Sequence, residues 1–503
     1  MFYLGAVPSG IHEDEAYAGY HAWCLLNGGV DCWGYRFPMY FISCGGGMNA
    51  LESYLMIPFV ALMGLTPFAI RLPQAIIGCL SLPIFYLLLK KMYGPKAGVI
   101  GMFILAVCPW HIMMCRWALE SNLAPAFLLA GFYLFLLGCE KPKFLLLSAL
   151  VYGLELYTYS ATWIAVIPML VLMTAYGLWT KKIRFDGYLM GAACIFLLFL
   201  LPVILFTLVN TGHIEPIRTA YFSVPKLVHY RGGEVAGRLL HKILHFGMVM
   251  IAQRDRYAYN GVPGFGMYYL FALPFVLLGL WLTIRKVFTA KKEFTTAAPL
   301  LIWFAAAVCL GCVVDAMVHR MNMIHFCNLI LITLGVSYAA EAKREVGAAL
   351  AIVYVVSFSA FTHAYFTTWN RGDVRKEFLS GFGEAIRSAS RERKGDIYIA
   401  VGSQTAAYEY MRAAFYMGMP CDELRKNIRF ANYPAPYLMA SELGRYKFDR
   451  SMSMAVGDAA DREGAEPGVP NRDTYIIFIE DKERYEKAGY TIEPHDMVAV
   501  AYR

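Results

Sequence analysis

The chain has 503 residues, of which 58% are hydrophobic and 16% are charged. A soluble domain usually carries about 25% charged residues, so this composition, with a mean hydropathy of +0.47, predicts a polytopic α-helical membrane protein. The net charge of +8 does not indicate a nucleic-acid partner. Lys and Arg stand mostly in short clusters between apolar runs, which is typical of the cytoplasmic loops of membrane proteins.

Ten apolar runs of 17–23 residues are candidate membrane spans, because a helix that crosses the hydrocarbon core takes about 20 mainly apolar residues. They lie near residues 71–89, 97–113, 123–139, 144–160, 161–179, 187–209, 266–284, 297–315, 322–340 and 346–367. An earlier apolar run, 51–65, is shorter and contains Glu52 and Pro58. We expect it to form a helix that lies in the membrane interface.

The basic connections predict the orientation. Short connections rich in Lys and Arg occur at every second position, at 90–96, 140–143, 180–185, 284–293 and 341–345. Placing them in the cytoplasm makes the remaining connections face outward, among them 1–70, 210–265 and 369–503. The prediction is a multi-pass protein of the cytoplasmic membrane, consistent with an even number of crossings.

The start of the chain raises the question of how the N-terminal segment reaches the outer side of the membrane. Only "MFYLGAVPSG" precedes an acidic cluster that we expect to lie outside, and no signal peptide or first span brings it there. One reading is that a first transmembrane helix is missing, and the other is a short translocated N-terminus. We favour the first.

The sequence predicts two domains, a membrane domain at 1–368 and a small extracytoplasmic α/β domain at 369–503. In the second, 396–401 and 475–480 have the pattern of buried strands and 375–393 has helical periodicity. The composition of 456–472 is typical of a loop. The twelve cysteines show no metal-site spacing; Cys24 and Cys32 are close enough for a disulfide, but we favour free thiols.

The stretch "GIHEDEAYAGYHAW" (10–23) places Glu13, Asp14 and Glu15 in a row. The residues that follow have the spacing of a short amphipathic helix at the outer membrane surface, with one face formed by Tyr17, Tyr20 and Cys24. Carboxylates are favoured at a helix N-terminus, and one held there can accept a proton from an incoming hydroxyl or amine. The alternative is helix capping and solvation alone.

Further polar residues lie on the other predicted outward connections, each with a structural alternative. Glu120 follows Arg116 by four residues, so the two form either an ion pair or part of a site. Tyr157 and Tyr159 are binding-wall candidates or members of an aromatic belt. The remaining candidates are His319, Arg320 and Asn49. Weaker candidates on the long connection 210–265 are Arg218, Arg231, Arg254 and Arg256. An arginine at these positions can hold a phosphate through paired N–H groups or extend to the interface.

These motifs resemble a known group when read in order. The series "VPSGIHEDEAYAGYHAWCLLNGG", "GGGMNALESYLMIPFVALMGL", "AIRLPQAIIGCLSLPIFYLL", "CPWHIMMCRWALESNL" and "LELYTYSATW" is similar to the GT-C glycosyltransferases of the protein O-mannosyltransferase and aminoarabinose transferase type, especially their bacterial members. The resemblance covers about 7–340, and 369–503 resembles the outward domain of the bacterial members.

The resemblance implies an inverting transfer of a sugar from a polyprenyl-phosphate donor to a glycan, lipid or protein acceptor at the outer face of the membrane. It implies Asp14 as catalytic base, Glu15 as its neighbour in the acidic pair, and Glu120 as a further acid. Arg116, Tyr157, Tyr159, His319, Arg320 and Asn49 are the predicted substrate-binding residues. It implies neither a metal nor another cofactor, although a divalent cation between Asp14 and a phosphate is an alternative.

Two other functions compete with the transferase. A transporter or flippase of lipid-linked saccharides would carry polar residues near the middle of its spans, whereas these runs are almost free of charge. A non-catalytic membrane anchor for the outer domain would not depend on Asp14. The acids on predicted outer connections favour surface chemistry.

Overall fold

The computed structural model describes residues 2–44, 46–230, 239–290, 293–401, 408–435, 437–448 and 474–503. The predicted loop at 456–472 and the candidate Arg231 lie outside these residues. The chain divides into two compact units. The first comprises Met1–Pro73, Leu208–Arg231 and Asn370–Arg503, and the second Gln74–Thr207 and Gly232–Trp369.

The described part of the chain is mostly helical up to residue 369, as the composition predicts. The helices are α1 (Glu13–Gly28), α2 (Leu51–Met63), α3 (Pro67–Tyr93), α4 (Pro95–Ala106), α5 (Pro109–Met114), α6 (Ala124–Gly138), α7 (Lys143–Glu155), α8 (Trp163–Trp179), α9 (Gly187–Asn210), α10 (Leu239–Ala252), α11 (Leu273–Thr289), α12 (Ala297–Val313), α13 (His325–Ala342) and α14 (Arg344–Ala364). Nine of the ten predicted spans each overlap one helix of this series, 97–113 overlaps both α4 and α5, and 51–65 overlaps α2.

Seven helical segments among the described residues are long and apolar enough to cross a membrane, judged by length and composition. They are Pro67–Tyr93, Glu120–Gly138, Ser160–Trp179, Gly187–Asn210, Leu270–Thr289, Val318–Ala342 and Arg344–Trp369. The run at 97–113 is divided between α4 and α5, because Pro109 begins a new helix. Helices α7 and α12, with 13 and 17 residues, are also below the usual span length. The count of ten spans therefore stays a prediction.

The second unit is held together by close contacts between helices. Helix α13 buries most of its length, whereas α14 is largely exposed. A Cβ atom at Gly279 of α11 would collide with the Leu331 carbonyl of α13, and one at Gly335 would collide with the Phe275 carbonyl of α11. Glycines at both positions thus let the two backbones touch, which is the usual device for packing apolar helices without a hydrophobic driving force. Helix α10 lies in the segment 210–265 that the sequence predicted as a loop.

The first unit contains the predicted C-terminal sheet. Strand β5 (Ile397–Ala400) pairs in parallel with β9 (Thr474–Phe478) and β8 (Tyr446–Lys447). Antiparallel strands extend both edges, giving the order β10-β11-β9-β5-β8-β7-β6. The added strands are β6 (Ile428–Phe430), β7 (Ala440–Leu443), β10 (Thr491–His495) and β11 (Val498–Tyr502). Shorter antiparallel pairs are β1 (Tyr40–Ser43) with β2 (Gly46–Asn49), and β3 (Ile217–Arg218) with β4 (Ser223–Val224).

Helices cover this sheet, and one of them differs from the prediction. The periodic segment 375–393 forms two helices, α15 (Val374–Glu377) and α16 (Phe382–Glu392). Leu379 and Gly381 between them both have positive φ, which ends the first helix. The others are α17 (Tyr410–Met417), α18 (Cys421–Asn427) and α19 (Lys482–Lys487).

Two predictions about α1 are wrong. The helix is not a simple amphipathic one, because it packs against both α2 and α17 and buries Tyr17, Tyr20 and most other side chains. Cys24 is not a free thiol and does not pair with Cys32. It forms a disulfide with Cys421, 397 residues later, a partner that sequence proximity does not indicate.

Candidate active site

The three acids at the start of α1 have three different surroundings. Glu15 is completely buried and Glu13 is half-buried. The Asp14 side chain is 39% exposed. Consecutive residues of a helix point in directions about 100° apart, so each carboxylate meets a different part of the molecule. Of the three, Asp14 is the acid that solvent and a substrate reach most readily.

Glu15 is fixed by an arginine and by the helix cap. Arg71 donates from Nε to Oε1 of Glu15 at 2.7 Å and from Nη2 to Oε2 at 2.8 Å. Its Oε2 also accepts from the His12 backbone N–H at 2.9 Å, while Nδ1 of His12 accepts from the Asp14 N–H at 3.2 Å. This reciprocal arrangement is a capping box. The Glu15 carboxylate thereby locks the first turn of the helix.

Arg71 carries that lock into the segment before the helix. It is fully buried, and its remaining N–H groups donate to backbone carbonyls of Leu4, Pro8 and Gly10 at 3.2, 2.8 and 2.7 Å. One guanidinium therefore holds both the approach to α1 and its first turn. The sequence contains a signal for this residue, a single arginine at the start of an apolar run.

A second buried ion pair supports the same helix start. Arg412 donates from Nη1 to both carboxylate oxygens of Glu409, from Nε to the Ile11 carbonyl at 2.9 Å and from Nη2 to the Glu377 carbonyl at 2.9 Å. Arg412 and Glu409 are 5% and 3% exposed. The helix start is thus clamped from two sides, and nothing in the sequence near Arg412 indicates this role.

Glu13 faces a group of weakly acidic side chains. Sγ of Cys44 donates to its Oε1 at 2.9 Å, and the Cys44 thiol also contacts the Tyr17 hydroxyl at 3.1 Å. Tyr17 in turn makes a short hydrogen bond with the Tyr410 hydroxyl. Burial raises the pKa of Glu13 to about 7; the Arg412 charge opposes the rise and the Asp14 charge adds to it. Near neutral pH, therefore, Glu13 exchanges a proton beside Asp14.

His12 is the neighbour of Asp14 on the other side. Its Nδ1 lies 3.4 Å from Asp14 Oδ2. Burial opposes protonation of the imidazole, but the Asp14 carboxylate outweighs burial and the pKa of His12 is raised. Asp14 thus stands between a histidine that gains a proton readily and a glutamic acid that loses one reluctantly. Asn49, the remaining candidate in the first unit, is buried at the end of β2.

The second unit holds the candidates around Glu120. Glu120 begins a 3-10 turn, Glu120–Asn122, and is half-buried. The Arg116 guanidinium lies over the rings of Tyr365 and Phe366, 5.7 and 5.2 Å from their centroids. Such stacking orients the guanidinium.

A buried amide network fixes this turn. Asn322 donates to the carbonyl of Ser121 at 3.1 Å and to Oδ1 of Asn122 at 3.0 Å, and accepts from the Trp110 indole at 2.7 Å. Gln74 donates to the Asn122 carbonyl at 2.8 Å. Sequence reasoning missed this network, although "VHRMN" contains Asn322 two residues after a predicted site residue. Its effect is to join the turn at Glu120 to the segment that carries Arg320.

His319 is held by a second set of polar contacts. Its Nδ1 is 3.0 Å from the side-chain amide of Asn260, which donates to Asp255 at 2.7 Å. The same Asp255 oxygen accepts from the Val318 N–H at 2.8 Å. By contrast, the half-exposed guanidinium of Arg320 makes no hydrogen bond or ion pair with any described residue. It is a charge in position to receive an anion.

The predicted aromatic wall is partly used by the fold. The Tyr157 hydroxyl donates to the Phe199 carbonyl at 2.7 Å, which leaves its ring but not its donor to a ligand. Tyr159 is half-exposed just before the turn Ser160–Thr162. Of the weaker candidates, Arg218 lies over the Tyr35 ring and Arg256 donates to Tyr257.

The described residues contain no group of three or more His, Cys, Asp and Glu side chains that could hold a metal ion. The candidate residues divide between the units. Asp14, Glu15 and Asn49 lie in the first, and the second contains Glu120, Arg116, Tyr157, Tyr159, His319 and Arg320. In the first unit the acids lie beside buried arginines, and in the second Arg116 lies over aromatic rings while Arg320 is half-exposed.

Comparison with known proteins finds one family model that matches part of the chain. Residues 51–206 match a family described as dolichyl-phosphate-mannose-protein mannosyltransferase. The match includes Arg116 and Glu120 but begins after the acids of α1. No curated protein matches the sequence.

Solved structures match over nearly the whole length. ArnT from Cupriavidus metallidurans in the apo state has a TM-score of 0.57 and 10% identity, with 99% of this chain and 95% of that chain covered. The same enzyme bound to undecaprenyl phosphate has a TM-score of 0.52, with the same identity and coverage. Residues 51–206 thus match the model of the mannosyltransferase family, and the chain has an ArnT-like fold.

Proposed function

We propose that this protein is a lipid-linked sugar transferase that moves a sugar from a polyprenyl-phosphate donor to an acceptor on the outer face of the cytoplasmic membrane. The observation that carries the proposal is the clamped start of α1. Arg71 and Arg412 immobilise the backbone around Asp14, whose carboxylate is the exposed one of three. The undecaprenyl phosphate bound to ArnT supports a polyprenyl phosphate as the donor's carrier.

The reaction follows from these groups. The acceptor hydroxyl or amine loses its proton to Asp14 as its oxygen or nitrogen attacks the anomeric carbon. The bond from that carbon to the phosphate oxygen breaks, and its electron pair leaves with the polyprenyl phosphate. Attack opposite the leaving group inverts the anomeric configuration. General-base catalysis of this kind contributes about 10²–10⁴-fold.

The other predicted residues have supporting roles in the proposal. Glu15 positions Asp14 through the capping box and Arg71, because its own oxygens are occupied. Arg320, with Arg116 and His319, stabilises the negative charge that collects on the leaving phosphate. Glu120 and Asn49 orient the sugar or the acceptor, and the rings of Tyr157 and Tyr159 form a wall beside it.

The disulfide supports an outward position for the first unit. Cys24 and Cys421 are bonded, and disulfides persist in oxidising compartments outside the cytoplasm. Both cysteines belong to the unit that carries Asp14. This agrees with the orientation that the Lys- and Arg-rich connections predict.

The test uses purified full-length protein in bilayer nanodiscs. It is incubated with undecaprenyl phosphate mannose or undecaprenyl phosphate aminoarabinose and a cell-envelope extract as acceptor, and free undecaprenyl phosphate is measured by mass spectrometry. We expect the wild type to release the carrier with one of the donors and Asp14→Asn to be at least about 10²-fold slower. Glu345→Gln, at an exposed acid of α14, is the matched control.

The outcomes separate the three functions. A transporter would move the donor without releasing its carrier, so sugar and phosphate would stay joined in the wild type. An anchor would give no release and no difference between Asp14→Asn and Glu345→Gln. Release that survives Asp14→Asn unchanged would contradict the role assigned to this residue.

A further inference from the structure

Four lysine-rich connections of the second unit meet at one cavity of about 270 Å³. Lys91 comes from the end of α3, Glu140 from the connection after α6, Lys182 from the one after α8, and Lys286 from the last turn of α11. These connections are far apart in sequence, and each was assigned to the same side of the membrane from its charge alone. The structure brings four of them together around one space.

The charges around this cavity are not balanced. Nζ of Lys91 pairs with Glu140 at 2.6 Å, and this hydrogen bond lowers the pKa of the Glu140 carboxyl. Lys182 and Lys286 lie over the rings of Phe294 and Tyr93, and neither makes an ion pair with a described residue. One carboxylate thus faces three ammonium groups, which leaves a positive cavity.

Two threonines and a helix N-terminus at this cavity also favour the binding of an anion. Oγ1 of Thr295 is buried without a hydrogen-bond partner among the residues that the structure covers. Thr296 is the N-cap of α12, a 17-residue helix, and its side chain makes no capping bond. The first N–H groups of a helix are unsatisfied and attract negative charge. A phosphate here would meet two hydroxyls and a helix N-terminus in addition to the lysines.

A second cavity of about 500 Å³ adjoins the first. The two share Met92 and Lys286. The second is also lined by the apolar residues Ala97, Leu282 and Leu334 and by the polar residues Tyr93, Ser337, Tyr338 and Glu341. The apolar side chains of the second cavity, next to the positive first cavity, match a molecule with an acidic head and a hydrocarbon chain. Free phosphate would satisfy the first cavity alone.

We propose that these joined cavities bind an anionic phospholipid. Its phosphate lies between Lys91, Lys182 and Lys286, and its acyl chain enters the cavity lined by Leu282 and Leu334. Basic cavities between transmembrane helices on the cytoplasmic side are a recurring way to hold acidic headgroups.

The lipid site is distinct from the proposed catalytic groups of the same unit. Glu120 precedes α6 and Glu140 follows it, and a helix of 15 residues separates its ends by about 22 Å. Occupation of the lipid site would therefore be measurable without any sugar substrate, and its failure would say nothing about the transferase.

The test compares retained lipids on the delipidated full-length protein by native mass spectrometry. Phosphatidylglycerol, phosphatidylcholine and inorganic phosphate are added separately to the wild type, to Lys182→Gln/Lys286→Gln and to the control Lys143→Gln/Lys343→Gln. The control removes the same charge at two lysines that line neither cavity. Each lysine near a headgroup contributes roughly fivefold, so we expect phosphatidylglycerol to bind about 30-fold more weakly to the cavity variant and nearly normally to the control.

Three results would overturn the proposal. They are equal binding of phosphatidylcholine and phosphatidylglycerol, an equal loss in the two double variants, and retention of inorganic phosphate with no lipid bound. The last would assign the positive cavity to a soluble phosphate. Thermal unfolding of each variant in detergent distinguishes lost binding from lost folding.

Discussion

Arginines are used in opposite ways by the two units. In the first, Arg71 and Arg412 are buried and pair with Glu15 and Glu409, and their remaining N–H groups hold backbone carbonyls. In the second, Arg116 lies over aromatic rings and Arg320 has no hydrogen-bond or ion-pair partner among the described residues. The first arrangement fixes a backbone, whereas the Arg320 guanidinium fixes none in the part of the chain that the structure describes.

This difference fits the two halves of a transfer reaction. A base must be held at a fixed place and direction, because small displacements cost much of the benefit of positioning. A group that stabilises a leaving phosphate must instead keep its N–H donors unused until the substrate is present. Each prediction below tests one side of this comparison.

Breaking the buried pair of the first unit should have the largest effect. Arg71→Met leaves the Glu15 carboxylate buried without its guanidinium, and removing one partner of a buried pair costs about 3–5 kcal/mol. We expect a large fall in the midpoint of thermal unfolding in detergent. Arg71→Met/Glu15→Gln should recover part of that loss, because no uncompensated charge remains. If Arg71→Met alone is as stable as the wild type, the Arg71–Glu15 pair does not stabilise the fold.

The opposite pattern is expected for the second unit. Arg320→Ala should leave the unfolding midpoint unchanged, since the guanidinium contacts no described partner, and should lower kcat by about 10²–10³-fold because a charge that stabilises the leaving phosphate is lost. Carrier release and thermal unfolding are measured on the same samples. Arg344→Ala, at an exposed arginine at the start of α14 in the same unit, is the control. If Arg320→Ala loses stability but keeps its rate, Arg320 has a structural role like that of Arg71, and the two units do not use their arginines differently.

Removal of the disulfide tests whether this bond stabilises the first unit in addition to the buried ion pairs. Replacing both Cys24 and Cys421 with Ser removes a link between residues 397 apart, and loss of a native disulfide typically costs about 2–5 kcal/mol. We expect a lower unfolding midpoint for the double variant, and a similar fall when the wild type is reduced. Reduction should not affect the double variant. If reduction lowers both equally, the change comes from another source.

The sequence predicted the parts of this molecule that depend on local pattern. Apolar runs located every helix from α3 to α14 except α10, and the acids at 13–15 marked the start of α1. What it could not predict are contacts between distant segments. Nothing near Arg412 indicates that it holds Ile11, and nothing near Cys421 indicates Cys24. The same limit applies within three consecutive residues, because a row of acids does not reveal that Glu15 is buried while Asp14 is exposed.

Glu13 gives the smallest predicted effect and refines the comparison, because burial of its carboxyl outweighs the nearby Arg412 charge in setting its protonation. Its pKa is raised by burial from 4.5 to about 7, so the folded protein holds a proton that the unfolded chain has released. Stability therefore falls as pH rises from about 4.5 to 7. The full shift corresponds to about 3 kcal/mol, and the partial exposure of the carboxyl reduces it to about 1–2 kcal/mol. Glu13→Gln should lose this dependence, so its unfolding midpoint should approach that of the wild type at pH 5 and exceed it at pH 8. Glu345→Gln should follow the wild type throughout. Parallel curves for the wild type and Glu13→Gln would contradict the prediction. They would mean that the Glu13 carboxyl is already ionised at pH 5 and that its charge is compensated as fully as that of Glu15.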